Sequence, residues 1–419
     1  MERKQSELDD FLRERIHVIC SPAGNEGLIN ANILTDLAGR ARVIAVGEGS
    51  HFIKEYWEMR RRLFELFHKE HNVRIFAMEF GFSEALLVDR WIGGEASAAD
   101  LRNFSESIDN WGAGSTMRWL RSYNSAAGGG ISFAGIDIPE AAGTLLPSLL
   151  PFTDYVKSIS LPTGDLQEAI EISDEFASGS VVAAAAKWQT LPESRRDRLT
   201  SILSNTLMRF TTLRDYYTQT IPAKDYSVAL RHLEAALYAD YMIRAVAQAG
   251  TAGAFMPDMS AREYFMARSV IWHLDANPGQ RIYLIAHNNH IQKTNVVYGK
   301  HTAAIPMGYY LQRFLGAEYC AIALTSSDNH TADMSPDSSR PAGFAVVDVA
   351  LDKAREGSVN AFIESNAPPA DISLIDMRHS PLDFNGIRSQ GAYVDTSVKA
   401  AFDAVISIPK ITVETNLRL

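Results

Sequence analysis

Cysteine is nearly absent, with Cys20 and Cys320 the only two in 419 residues. Two thiols build neither a disulfide framework nor a cysteine zinc site, and they suit a reducing cytoplasm. Nowhere do eighteen apolar residues run consecutively, so no stretch is long enough to cross a bilayer as a helix. The first ten residues, from Met1 to Asp10, lack the apolar core of a secretion signal. The reading is a soluble cytoplasmic protein with no membrane partner. Basic charge is short as well: 40 Lys and Arg stand against 50 Asp and Glu, a net charge of −10. That balance argues against a nucleic-acid partner and favours neutral or cationic ligands. Also missing are the G-x-S-x-G turn of the serine hydrolases and the H-E-x-x-H zinc motif. What remains, 46% hydrophobic and 21% charged, describes a globular chain with a large core and more than one lobe.

The positive signal is an alternation of short apolar strands with helices. Val43 to Val46 is a β-branched run that breaks at Gly47-Glu-Gly-Ser-His51 and continues with Tyr56, Leu63, Phe64 and Phe67 at helical spacing. Comparable strands lead into Glu79, into Asp137, and into His287-Asn-Asn-His290, with helical patterns at 83–91, 116–123 and 307–315 between and after them. Strands separated by helices pair in parallel, and ligands bind such sheets outside the carboxyl ends of the strands. Long helical stripes (Leu199, Leu203, Leu207, Phe210, Leu213, then Leu230, Leu233, Leu237, Tyr241) fill the middle of the chain. The expected fold is α/β, a mostly parallel central sheet with a large inserted helical lobe. Residues 1–150 and 276–419 would form the catalytic core, and 151–275 the lobe covering the site. Peripheral expectations are a short helix at 7–19, a polar loop at 326–341, and edge strands and short helices around 344–347, 372–375 and 404–408.

Six residues fall at or just after strand ends: Glu48, His51, Glu79, Asp137, His287 and His290. Singly, each has a structural reading: a helix cap, a turn before Pro139, a satisfied buried histidine. Their convergence on one sheet edge points to a shared site. A helix N-terminus beside His51 disfavours its charged form and keeps it available as a base. Gly47-Glu-Gly49-Ser-His-Phe52 starts like a dinucleotide fingerprint, but Phe52 stands where the third glycine must let helix and strand approach. Two hydrolytic chemistries fit the rest. An imidazole can activate water without metal, or the three histidines and the carboxylates can ligate one from remote loops.

Four blocks carry a family resemblance: Gly47-Glu-Gly-Ser-His51-Phe-Ile-Lys-Glu followed by Arg60, Phe76-Ala-Met-Glu79-Phe-Gly-Phe-Ser-Glu-Ala, Gly135-Ile-Asp137-Ile-Pro, and Ala286-His-Asn-Asn-His290-Ile-Gln-Lys. In order and spacing they resemble the erythromycin esterase family, closest to its macrolide-resistance branch. The resemblance implies a macrolide as the small-molecule partner, opened at its lactone ester by a histidine-activated water with no metal and no cofactor. It makes His51 the general base, Glu48 its orienting carboxylate, and Arg60, Glu79, His287 and His290 companion catalytic residues. Asp137, Asn289 and Lys293 would contact substrate. The position of Asn289 is commonly small in the family. The alternatives are a metal-dependent hydrolase built on the same cluster and a binding protein that sequesters a macrolide without turnover.

Overall fold

A computed structural model describes residues 16–20, 28–97, 99, 101, 113–219, 221–249, 256–337, 339–378, 380–415 and 417. Its strands are β1 (Ile16–Cys20), β2 (Val43–Val46), β3 (Ile75–Gly81), β4 (Ser132–Asp137), β5 (Ile282–Ile285), β6 (Val296–Tyr298), β7 (His301–Ala304), β8 (Tyr319–Ser326), β9 (His330–Pro336), β10 (Phe344–Ala350), β11 (Ile372–Asp376), β12 (Gly386–Ser389), β13 (Ala392–Asp395) and β14 (Ala404–Ile408). Eight of them form one sheet in the order β1-β11-β14-β8-β2-β5-β3-β4. Every pairing from β14 to β4 is parallel, while β11 runs antiparallel to both β14 and β1.

The central strands are fully buried apolar runs because helices cover both faces of the sheet. Along β2, Ile44 and Val46 join the layer built on the helix Lys54–His71. Val43 and Ala45 join the opposite layer, under the helices Ser260–Ala276 and Met307–Leu315. The strand order sets β2, β5, β3 and β4 side by side. With neighbouring strands ~4.8 Å apart, four carboxyl ends remote in sequence fall within roughly 15 Å.

A third apolar cluster lies in the helices Leu146–Ser158, Gly164–Phe176, Val181–Thr190, Glu193–Thr212 and Ala223–Gln248. Leu199, Leu203, Phe210 and Leu233 are buried there, whereas Leu213 lies beyond a helix end and is exposed, as is Tyr241. The helix Ser260–Ala276, at the end of the segment read as lobe, lays Met266, Ala267, Val270 and Leu274 on the sheet.

Three peripheral expectations are corrected. Residues 16–19 are strand, not helix: Ile-His-Val-Ile-Cys is too short for periodicity to separate the two, and pairing with β11 decides it; the rest of the expected helix, 7–15, lies outside the described residues. Half of the polar stretch 326–341 belongs to β8 and β9, and β9 pairs with β10 across seven residue pairs. Finally, β11 and β14 lie inside the sheet, not at its edge.

Candidate active site

The turn after β2 is held close to the turn after β5. A Cβ on Gly47 would stand 1.9 Å from the Asn288 side-chain oxygen, so only glycine allows the approach. The Asn288 amide donates to the Glu48 carbonyl at 2.9 Å. The helix begins at Lys54, three residues after His51, because Phe52 takes a left-handed φ of 61° and Ile53 bridges to Val413. A left-handed bulky residue costs about 1–2 kcal/mol. Burial of the Phe52 ring and the bond from the Glu414 amide to its carbonyl hold it there.

These turns present a chain of charge-assisted bonds. Glu48 accepts from His51 Nδ1 at 2.8 Å with one oxygen and from Arg60 Nη1 at 2.8 Å with the other. Arg60, buried to 2% exposure, also donates to the Ala286 carbonyl at 2.7 Å. The carboxylate fixes the tautomer: His51 carries its proton on Nδ1, and Nε2 is the basic nitrogen.

A second group lies beside it. His290 sits between two carboxylates, with Nδ1 2.6 Å from Glu263 and Nε2 3.0 Å from Glu79. Burial opposes its charge, but Glu263 and Glu79 outweigh burial and push its pKa up to about 10, so it is an imidazolium at neutral pH. Glu79 also meets Arg262 at 2.9 Å and accepts the His287 amide at 3.0 Å. Burial would raise its carboxyl, yet His290 and Arg262 hold it well below the usual range. Arg262 grips Asp137 through Nε and Nη2, and its Nη1 has no protein partner among the described residues.

His287 packs its ring 5.0 Å from that of His51. Its Nδ1 accepts the Asn289 amide at 3.1 Å, and burial, reinforced by His51 and His290, keeps it neutral. Glu48, His51, Arg60, Glu79, Asp137 and His290 all line a cavity of about 520 Å³, a size usual for small-molecule sites. His287 lies just behind its wall. Two expected substrate contacts do not reach the cavity. Lys293 turns toward β14 and pairs with Asp403 at 2.6 Å, and the Asn289 amide donates to the Tyr298 hydroxyl at 2.9 Å.

Sequence reasoning missed Arg262 and Glu263. They stand in the first turn of a helix placed in the lobe; the one available signal was an Arg-Glu pair at its start. It also missed Glu84, Gly179 to Val182 of the lobe, and Met334, Pro336, Ala342, Gly343 and Phe344 of the β9–β10 hairpin, all in the cavity wall. Among the described residues no three His, Cys, Asp or Glu side chains are grouped to hold a metal ion. The imidazoles and carboxylates bond to one another and to arginine instead.

The erythromycin esterase family model matches residues 68–411. Erythromycin esterase type II of Escherichia coli is 32% identical over 393 residues, spanning 91% of this chain and 92% of its own. Type I from the same organism is 28% identical over 379 residues, 90% of this chain and 92% of its own. The solved structure of an erythromycin esterase mutant, EreC, in its open conformation superposes with a TM-score of 0.87 at 27% identity, covering 93% of this chain and 95% of that one. With the matching family model covering most of the chain and both curated relatives spanning nearly their full length, the chain belongs to the erythromycin esterase family and is a hydrolase acting on esters.

Proposed function

We propose that the chain hydrolyses the macrolactone ester of erythromycin-like macrolides with a water activated by His51, opening the ring and inactivating the antibiotic. The observation that carries this reading is the Arg60–Glu48–His51 relay at the cavity wall. Glu48 holds the proton on Nδ1, so Nε2 takes the proton from water as its oxygen attacks the ester carbonyl. Two E. coli relatives named as erythromycin esterases support the substrate class.

The charges of the site favour that step. Four carboxylates, Glu48, Glu79, Asp137 and Glu263, face three cations, Arg60, Arg262 and His290, leaving one negative charge in excess. When His51 accepts the water proton it gains the positive charge that this excess favours, while the oxyanion formed in the same step carries the matching negative charge. The total is unchanged, and the new pair attracts in a buried setting where such attraction counts for more than in water. Arg262, with Nη1 unspent, and the fixed His290 imidazolium then face the developing oxyanion. His287, neutral and packed at a tilt against His51, keeps the ring in place.

Mass spectrometry after incubation with erythromycin tests the reading. The expected product is the drug plus one water, formed at the same rate after exhaustive chelation. Recovery of unchanged drug bound to protein would make it a binding protein, and loss of activity on chelation with return on adding metal would make the histidines ligands.

A further inference from the structure

The acids of the cavity wall fall into two groups. Glu48 has Arg60, Asp137 has Arg262, and Glu79 has Arg262 and His290. Glu84 and Glu140 also line the cavity, and neither has a basic partner among the described residues. They adjoin where the helix Phe82–Ile92 meets the turn after β4: Glu84 Oε1 accepts the Glu140 amide at 2.6 Å. Glu84 is 2% exposed, and its Oε2 has no hydrogen-bond partner among the described residues. Glu140 is the more accessible of the two, set at the cavity by left-handed backbone at φ 32°.

An orphaned buried carboxyl normally signals a missing partner. The neighbouring charges do not supply one. Asp137 repels it and is spent on Arg262, and from the helix Ala223–Gln248, His232 bonds Ser83 at 2.7 Å while Arg231 lies over the Phe82 ring. Burial pushes Glu84 up to about 8, so this carboxyl waits protonated, and burial raises Glu140 as well.

We propose that Glu140, backed by Glu84, is the subsite for a cationic amine of the substrate, the ammonium of an amino sugar; this rests on the macrolide reading above. The ammonium sits against the Glu140 carboxylate and supplies the positive charge this end of the cavity lacks. Glu84 then ionises, its carboxyl proton passing to solvent. The ester is thereby placed toward His51.

The test compares erythromycin with an analogue lacking the dimethylamino group, using Glu140→Gln and Glu84→Gln, the latter keeping an oxygen for the Glu140 amide. Each should raise KM for erythromycin about tenfold or more with kcat within about threefold, and leave both constants for the analogue unchanged. An equal rise for both substrates would mean a structural role, and no rise for either would mean no role; both overturn the subsite. Calorimetry of erythromycin binding to the His51→Ala protein at pH 7, in buffers of different ionisation enthalpy, should show close to one proton released. Adding Glu84→Gln should abolish that release, and the same proton count with and without it overturns the proposal. A chain that binds erythromycin without hydrolysing it loses the esterase reading, while the proton count still decides the subsite. Absence of binding overturns the subsite outright.

Discussion

His51 contributes little packing: a quarter of its side chain is exposed, at 24%, and its position depends on Glu48. His51→Ala should therefore leave the thermal midpoint nearly unchanged while lowering kcat by on the order of 10² to 10⁴; a variant working at the parent rate would remove His51 from the chemistry. Glu48→Gln differs, because it leaves Arg60 buried without its counter-charge and weakens the tautomer lock. It should lower kcat more than it raises KM and also destabilise the fold, and a pure KM effect would contradict the orienting role. Glu84 acts on stability through pH. Its folded pKa, about 8, is raised above the ordinary 4.5, so the folded state binds more protons than the unfolded one between those values. Stability then falls as pH rises from about 4.5 through about 8, and Glu84→Gln removes that slope. Urea midpoints of the two proteins from pH 5 to pH 8 should diverge in favour of the variant.

Among elements, the helix Ser260–Ala276 does most to complete the site, bringing Arg262 to Glu79 and Asp137 and bringing Glu263 to His290. Arg262→Lys keeps a positive charge but loses the fork that holds Asp137 and presents Nη1. A fall in kcat of about 10² is expected, as for loss of one oxyanion donor, and unchanged kcat would assign Arg262 to structure alone. This helix also marks where the sequence stopped being informative. Strand ends were legible, because β2, β3, β4 and β5 are apolar runs broken by polar residues, and parallel sheets place ligands at those breaks. Glu48, His51, Glu79 and His290 could be found that way. Arg262 could not: it is one of many charges on helices, and its role comes from packing across 125 residues onto Asp137. Nor could the turn of Lys293 toward Asp403 be foreseen, since 110 residues separate them. Of the β9–β10 hairpin, the apolar start of β10 at 344–347 was legible as a strand, whereas β9 hid in a run of Ser, Asp and Pro that reads as loop.

At the scale of the molecule, the carboxyl ends of β2 to β5 face a cavity wall that takes in Gly179 to Val182 of the helical lobe and the β9–β10 hairpin. The chain enters the lobe through Pro139 to Gly143, where Glu140, Ala141 and Ala142 all have left-handed φ, at 32°, 42° and 64°. Non-glycine residues in that region are strained, and strain collects where a segment has two arrangements of similar energy. The lobe's apolar cluster also takes in Phe82 and Phe265 from the helices Phe82–Ile92 and Ser260–Ala276, so a motion on this turn would have to re-pack those two contacts while the sheet core stays covered. A motion of the lobe on this turn would admit a bulky substrate and then hold it against His51 and its attacking water. Hydrogen exchange on the His51→Ala protein, with and without erythromycin, separates a moving lobe from a fixed one. Protection should appear in the turn 139–143, at 177–183 and in the β9–β10 hairpin, while β2, β5 and β8, buried in both states, exchange alike. Unchanged exchange in all three segments at saturating erythromycin would leave the lobe a rigid wall, and the site would then have to admit its substrate through the mouth as it stands.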